Sequence, residues 1–156
     1  QFTLYLPAGT DPPEETPQSD VDNPREIESA RVLIMDDDEQ VCSITRKMID
    51  RFGFDCDMVH DGSHAIEAYQ QARASGNPYD LLLLDLTIPG GMGARETISK
   101  LLDIEPEASA VVISGYTNDP VMSNFRDYGF KGQLVKPFKI GELKGTIESI
   151  MKKPMN

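Results

Sequence analysis

From Arg31 onward the chain alternates two hydrophobic rhythms. Val32–Met35 is an unbroken apolar run of strand length. Val41, Ile44, Met48 and Phe52 then recur at helical spacing across 39–52, and Gly53 stands where a helix can close on a left-handed residue. Cys56–Val59 is a second short strand. Asp61-Gly62 punctuates, and Ala65, Ala68, Tyr69 and Ala72 space a second helix that Ser75-Gly76-Asn77-Pro78 closes. Leu81–Leu84 is a third strand, Ile98, Leu101 and Leu102 mark a third helix, and Ala110–Ile113 is a fourth strand. Asn118 or Asp119 can cap a fourth helix with Pro120 in its first turn, where a missing N–H costs nothing. Leu134-Val135 ends a fifth strand, and Ile140, Leu143, Ile147 and Ile150 draw the stripe of a fifth helix.

Continuous apolar strands that alternate with helices imply a parallel sheet covered on both faces. Right-handed crossovers then make it an α/β, doubly wound, five-stranded sandwich. There is no internal repeat.

The front of the chain follows other rules. Phe2, Leu4 and Leu6 alternate like a short strand that Pro7 ends. Residues 8–30 read as a linker, with Pro12, Pro13, Pro17 and Pro24 set among acids and small polar residues. The first residue is Gln1, not Met, and the sequence reads as a fragment of something longer.

Composition narrows the function. The 156 residues carry a formal net charge of -11. The linker takes a large share of it, with Asp11, Glu14, Glu15, Asp20, Asp22, Glu26 and Glu28 set against Arg25. Such acidity argues against nucleic acid as a direct partner, because phosphate contacts need clustered Lys and Arg. It suits a protein that binds cations or basic surfaces. Cys42 and Cys56 have no metal-ligand spacing and form no disulfide framework, so free, buried thiols and a cytoplasmic setting are expected. No apolar run approaches the ~20 residues of a membrane span, and no signal peptide is visible.

In open parallel sheets the ligand site lies beyond the carboxyl ends of the strands. There this sequence places Asp36, Asp37 and Asp38 after the first strand, Asp85 after the third, Ser114 after the fourth and Lys136 after the fifth. If those strands are neighbours, all these groups share one cleft. Carboxylates brought together resist joint ionisation, and a hard divalent cation such as Mg2+ resolves the repulsion. A carboxylate can also be a nucleophile that forms an aspartyl phosphate, with a metal, a Lys and a hydroxyl around the phosphoryl oxygens.

Val32-Leu33-Ile34-Met35-Asp36-Asp37-Asp38, Leu84-Asp85-Leu86-Thr87-Ile88-Pro89, Val112-Ile113-Ser114-Gly115 and Val135-Lys136-Pro137-Phe138 together resemble the response-regulator receiver family of two-component signalling, over residues 31–153. The resemblance implies a flavodoxin-like fold with strand order 2-1-3-4-5, an order that comes from the family and not from the periodicity. It implies Asp85 as phosphoacceptor, and Asp36, Asp37, Asp85 and the backbone carbonyl of Thr87 as the Mg2+ site. Ser114 and Lys136 would contact the phosphoryl group, and the bond before Pro137 would be cis. Asp38 reads as a helix cap instead. The implied partners are a histidine kinase, in cis or in trans, and a histidine phosphotransfer protein.

The sequence also departs from the family. Gln133 stands three residues before Lys136, where many receivers carry a switching aromatic. Tyr116 is near enough to Ser114 to replace it, and an ordinary half-buried tyrosine is the plainer reading. The glycines of Pro89-Gly90-Gly91-Met92-Gly93 make that loop's backbone permissive. His60 and His64, beside Asp61-Gly62, are expected away from the reactive edge. Most of the seven methionines read as gap fillers in the core, and Lys152 and Lys153 complement the dipole of the last helix. Phe2–Pro7 resembles the closing strand of a histidine-kinase ATP-binding domain. With the linker and receiver behind it, that is the order of a hybrid sensor kinase. Two other functions compete: a receiver fold that docks partners without phosphorylation, and a haloacid-dehalogenase-like hydrolase. The hydrolase would want an acid two residues after Asp85, where Thr87 stands.

Overall fold

The computed structural model describes residues 30–151. The strand pattern at Phe2–Leu6, residues 8–29 of the linker, and Lys152 and Lys153 lie outside the described residues, while Ala30, read as the linker's last residue, is buried in the core. The elements run β1 (Arg31–Met35), α1 (Glu39–Arg51), β2 (Asp55–Val59), α2 (Gly62–Ala74), β3 (Leu81–Asp85), α3 (Ala94–Ile104), β4 (Ala110–Ser114), α4 (Pro120–Ser123), a 3-10 turn (Phe125–Tyr128), β5 (Gly132–Val135) and α5 (Ile140–Met151). The sheet order is β2-β1-β3-β4-β5, and each neighbouring pair is parallel. This is the expected doubly wound fold.

Burial follows position in the sheet. Every residue of β3 and β4 is buried, because helices cover both faces of the central strands. The edge strand β5 alternates instead, with Gly132 and Leu134 in and Gln133 and Val135 out. Side chains alternate along each strand, so the core splits into two layers. Leu33, Met35, Leu82, Leu84 and Val112 meet α2, α3 and α4. Val32, Ile34, Leu83, Val111 and Ile113 meet α1 and α5.

Two expectations need correction. Helix α1 forms where its spacing predicts, but it buries Cys42, Thr45 and Ile49, and Ile44 is 55% exposed. The buried stripe is one residue out of phase with Val41-Ile44-Met48, a rotation of about 100°. Helix α4 has the expected cap, with Asp119 Oδ1 accepting the Val121 N–H at 2.9 Å, yet it lasts only four residues. The Asn124 N–H still makes the helical bond to the Pro120 carbonyl at 2.9 Å, but Asn124 itself leaves the helical region at φ -124° and ψ 42°, and the chain tightens into the 3-10 turn. Gly53, at φ +83°, closes α1 as the sequence suggests.

Candidate functional site

Parallel register brings the strand ends to one rim. Met35 pairs with Val59 and Leu84, Asp85 with Ile113, and Ser114 with Val135. The residues that leave β1, β3, β4 and β5 therefore surround one cleft.

Asp36 and Asp85 are buried there, while Asp37 is exposed. Asp36, Asp37 and Asp85 each offer a carboxylate oxygen within 4.8 Å of the others. Lys136 reaches in from the end of β5 and donates to Asp36 Oδ2 at 2.8 Å and Asp85 Oδ2 at 3.0 Å. Backbone donors hold the remaining oxygens: the Asp38 N–H bonds Asp36 Oδ1 at 2.9 Å, and the Thr87 N–H bonds Asp85 Oδ1 at 3.3 Å. Ser114 is buried at 2% exposure. Its Oγ accepts the Tyr116 N–H at 2.9 Å, and among the described residues its own proton has no acceptor. Tyr116 itself is 71% exposed, so it is not the half-buried tyrosine expected.

Charge explains the protonation chemistry. Burial, reinforced by the Asp36 charge, raises Asp85 from 3.8 to about 6, and the Lys136 ammonium limits the rise. Burial also works against the charge on Lys136, but its bonds to Asp36 and Asp85 outweigh that and hold it above its ordinary value. At neutral pH Asp85 is thus an ionised carboxylate in a buried, crowded place. The clustered donors are the three carboxylates of Asp36, Asp37 and Asp85, with no thiol or imidazole among them. They fit a hard divalent cation, whose charge would offset the burial and the Asp36 repulsion that together lift Asp85.

A family model for the response regulator receiver domain matches residues 32–148. The chain belongs to this family. Among relatives of the receiver, the uncharacterized transcriptional regulatory protein YkoG of Bacillus subtilis is 24% identical over 126 residues, covering 81% of this chain and 53% of its own length. The sensor kinase CckA of Brucella abortus is 23% identical over 159 residues, covering 97% of this chain and 16% of its own length. The chain thus spans about half, or far less, of these relatives. The receiver domain of a sensor histidine kinase from Pseudomonas aeruginosa, solved with a magnesium ion coordinated in its active site cleft, superposes with a TM-score of 0.70. It covers 80% of this chain and 99% of that one at 19% identity, and shares the receiver fold.

Asp38 has the cap geometry expected, its Oδ1 accepting the Gln40 and Val41 N–H groups at 2.9 and 3.3 Å. The Lys136-Pro137 bond is cis, as the resemblance implies. Both cysteines are free, with Cys42 buried and Cys56 half-buried. The turn flanked by His60 and His64 stands at the reactive edge, contrary to expectation. Since β2 runs parallel to β1, its carboxyl end shares the rim, and the Asp36 N–H donates to the Val59 carbonyl at 3.1 Å. Sequence reasoning missed the backbone groups that orient Asp36, among them that carbonyl and the Asp38 N–H. It also missed the Cys42 thiol on the Asp36 carbonyl at 3.3 Å. No residue type signals a main-chain partner.

Proposed function

We propose that this receiver domain takes a phosphoryl group from a histidine kinase phosphohistidine onto Asp85, with Mg2+ held by Asp36, Asp37, Asp85 and the Thr87 carbonyl. The observation that carries the reading is the acidic triad with its oxygens within 4.8 Å, two of whose members, Asp36 and Asp85, are bridged by Lys136. An ionised Asp85 oxygen forms the new bond to phosphorus as the phosphorus–nitrogen bond breaks, and the imidazole leaves with the electron pair and gains a proton. The bound cation would neutralise phosphoryl oxygen charge. Lys136 supplies a fixed positive charge on the other side, and the Ser114 hydroxyl has a proton free to donate. The added charge would bias a pre-existing equilibrium of the surrounding loops and change partner contacts.

The parent protein is read as a hybrid sensor histidine kinase. Residues 31–153 form its receiver, 8–30 a linker, and 1–7 the end of a kinase ATP-binding domain. The match to the sensor kinase CckA supports this, since its 97% coverage takes in most of the chain ahead of the receiver. The cytoplasm is the proposed location, and no helix among the described residues is long and apolar enough to cross a membrane. A histidine phosphotransfer protein is a further proposed partner.

Intact mass after incubation with Mg2+ and acetyl phosphate tests the reading. A gain of one phosphoryl group, lost in Asp85→Asn and in EDTA, is expected. No gain from acetyl phosphate or from a cognate kinase would leave a docking module instead.

A further inference from the structure

The loop after Asp85 carries Thr87, whose N–H bonds the Asp85 carboxylate at 3.3 Å. Its glycines suggest a permissive backbone, but of Gly90, Gly91 and Gly93 only Gly90 has a positive φ, +75°. The other two have neighbours packed against them, tightly at Gly91 and with no room for a Cβ at Gly93. A Cβ on Gly91 would come 3.0 Å from Ile88 Cγ2 and 3.2 Å from Asp61 Cβ, and one on Gly93 would strike the Leu86 carbonyl oxygen. The far side of this packing is the head of α2. There the Gly62 N–H donates to the Met92 carbonyl at 2.8 Å. A Cβ on Gly62 would strike Thr97 Oγ1 and lie 2.7 Å from Met92 Cγ and Sδ. Thr97 is fully buried. It donates to the Gly93 carbonyl at 2.7 Å and lies 3.8 Å from the sulfur of Met35, the residue before Asp36.

We propose that Asp61-Gly62, at the head of α2, is the seat of the β3–α3 loop, and that Gly62 is a positioning residue for the metal and phosphoryl chemistry at Asp85. It touches no reacting atom. Through Met92 and Thr97 it sets where the loop, and so the Thr87 backbone, stands beside the carboxylate. This rests on the function proposed above. A displacement of about 1 Å in such a constellation costs on the order of 10²-fold in rate. A methyl at Gly62 cannot be accommodated without moving Met92, Thr97 or both.

The test compares Gly62→Ala, Asp61→Ala and Gly53→Ala with the parent protein. Gly53 has φ +83° and open space around it, so its variant carries backbone strain far from the loop. Backbone amide spectra report the positions of Leu86–Gly93, and titration with MgCl2 gives the metal affinity whether or not phosphoryl transfer occurs. In Gly62→Ala the loop amides are expected to shift, Mg2+ affinity to fall at least fivefold, and the rate with acetyl phosphate to fall 10- to 100-fold. Asp61→Ala is expected to give a smaller loss of the same kind, and serves if Gly62→Ala does not fold. Gly53→Ala should lose thermal stability alone. Mg2+ affinity within twofold of the parent in a folded Gly62→Ala, or in Asp61→Ala if it alone folds, overturns the proposal. So does equal loss in Gly53→Ala. A parent that binds Mg2+ but takes no phosphoryl group sinks the functional reading and leaves the metal titration to decide this one. A parent that binds no Mg2+ overturns both.

Discussion

Lys136 places its Nζ 3.0 Å from Asp85 Oδ2 while the same nitrogen stands 2.8 Å from Asp36 Oδ2. One ammonium thus compensates two buried carboxylates from different strands, and its removal leaves both facing each other. Lys136→Ala is expected to lose about 3 kcal/mol of stability at pH 7 without metal, the cost of leaving a buried charge uncompensated. Thermal melts should show most of this recovered by MgCl2, or by a pH low enough to protonate Asp85. A variant that melts with the parent at pH 7 in EDTA would contradict this account of the cleft.

Asp85 also makes stability depend on pH. Its folded pKa of about 6 lies above its ordinary 3.8. Between those values the folded state keeps a proton that the unfolded state has released, so metal-free stability falls as pH rises through the window. Mg2+ needs the ionised carboxylate, so binding below pH 6 must expel that proton. The rise in melting temperature from a fixed concentration of MgCl2 should therefore be larger at pH 7.5 than at pH 5. Equal shifts at both pH values would count against an elevated Asp85.

Asp38 separates capping from ligation. Asp38→Ala removes the acceptor for two orphan N–H groups of α1 and is expected to cost about 1 kcal/mol. Its own N–H on Asp36 Oδ1 is main chain and survives the substitution. Mg2+ affinity should stay within about twofold, a free-energy change well below the cost of losing the cap. A tenfold loss of affinity with unchanged stability would make Asp38 a ligand.

The phase of α1 is open to direct measurement. Ile49 is fully buried, whereas Ile44 is 55% exposed. Ile49→Ala should cost about 2–5 kcal/mol, and Ile44→Ala should stay within about 0.5 kcal/mol. Urea midpoints of the two variants distinguish this arrangement from the Val41-Ile44-Met48 face.

The strands that the sequence announces most clearly are β1, β3 and β4. Each is buried on both faces, so its interior must be apolar, and a polar residue at or just beyond its carboxyl end is conspicuous. That is why Asp36, Asp85 and Ser114 were readable as one rim, with Lys136 supplied by the fifth strand. The caps at Asp38 and Asp119 were equally legible, because a cap is a local bond between neighbours in the chain.

Tertiary structure decided what depends on a second surface. Helix α1 carries two candidate stripes one residue apart, and only the sheet beneath it selects Cys42, Thr45 and Ile49 for burial. The head of α2 joined the reactive rim because β2 lies parallel beside β1, a pairing that no local pattern contains. Gly62, Gly91 and Gly93 look in sequence like flexible punctuation. In the fold, Thr97, Met92, Asp61 and Leu86 occupy the space that their side chains would need. A residue's propensity is written in its own chemistry, but the room around it is set by residues distant in the chain, and that room exists only once the chain is packed.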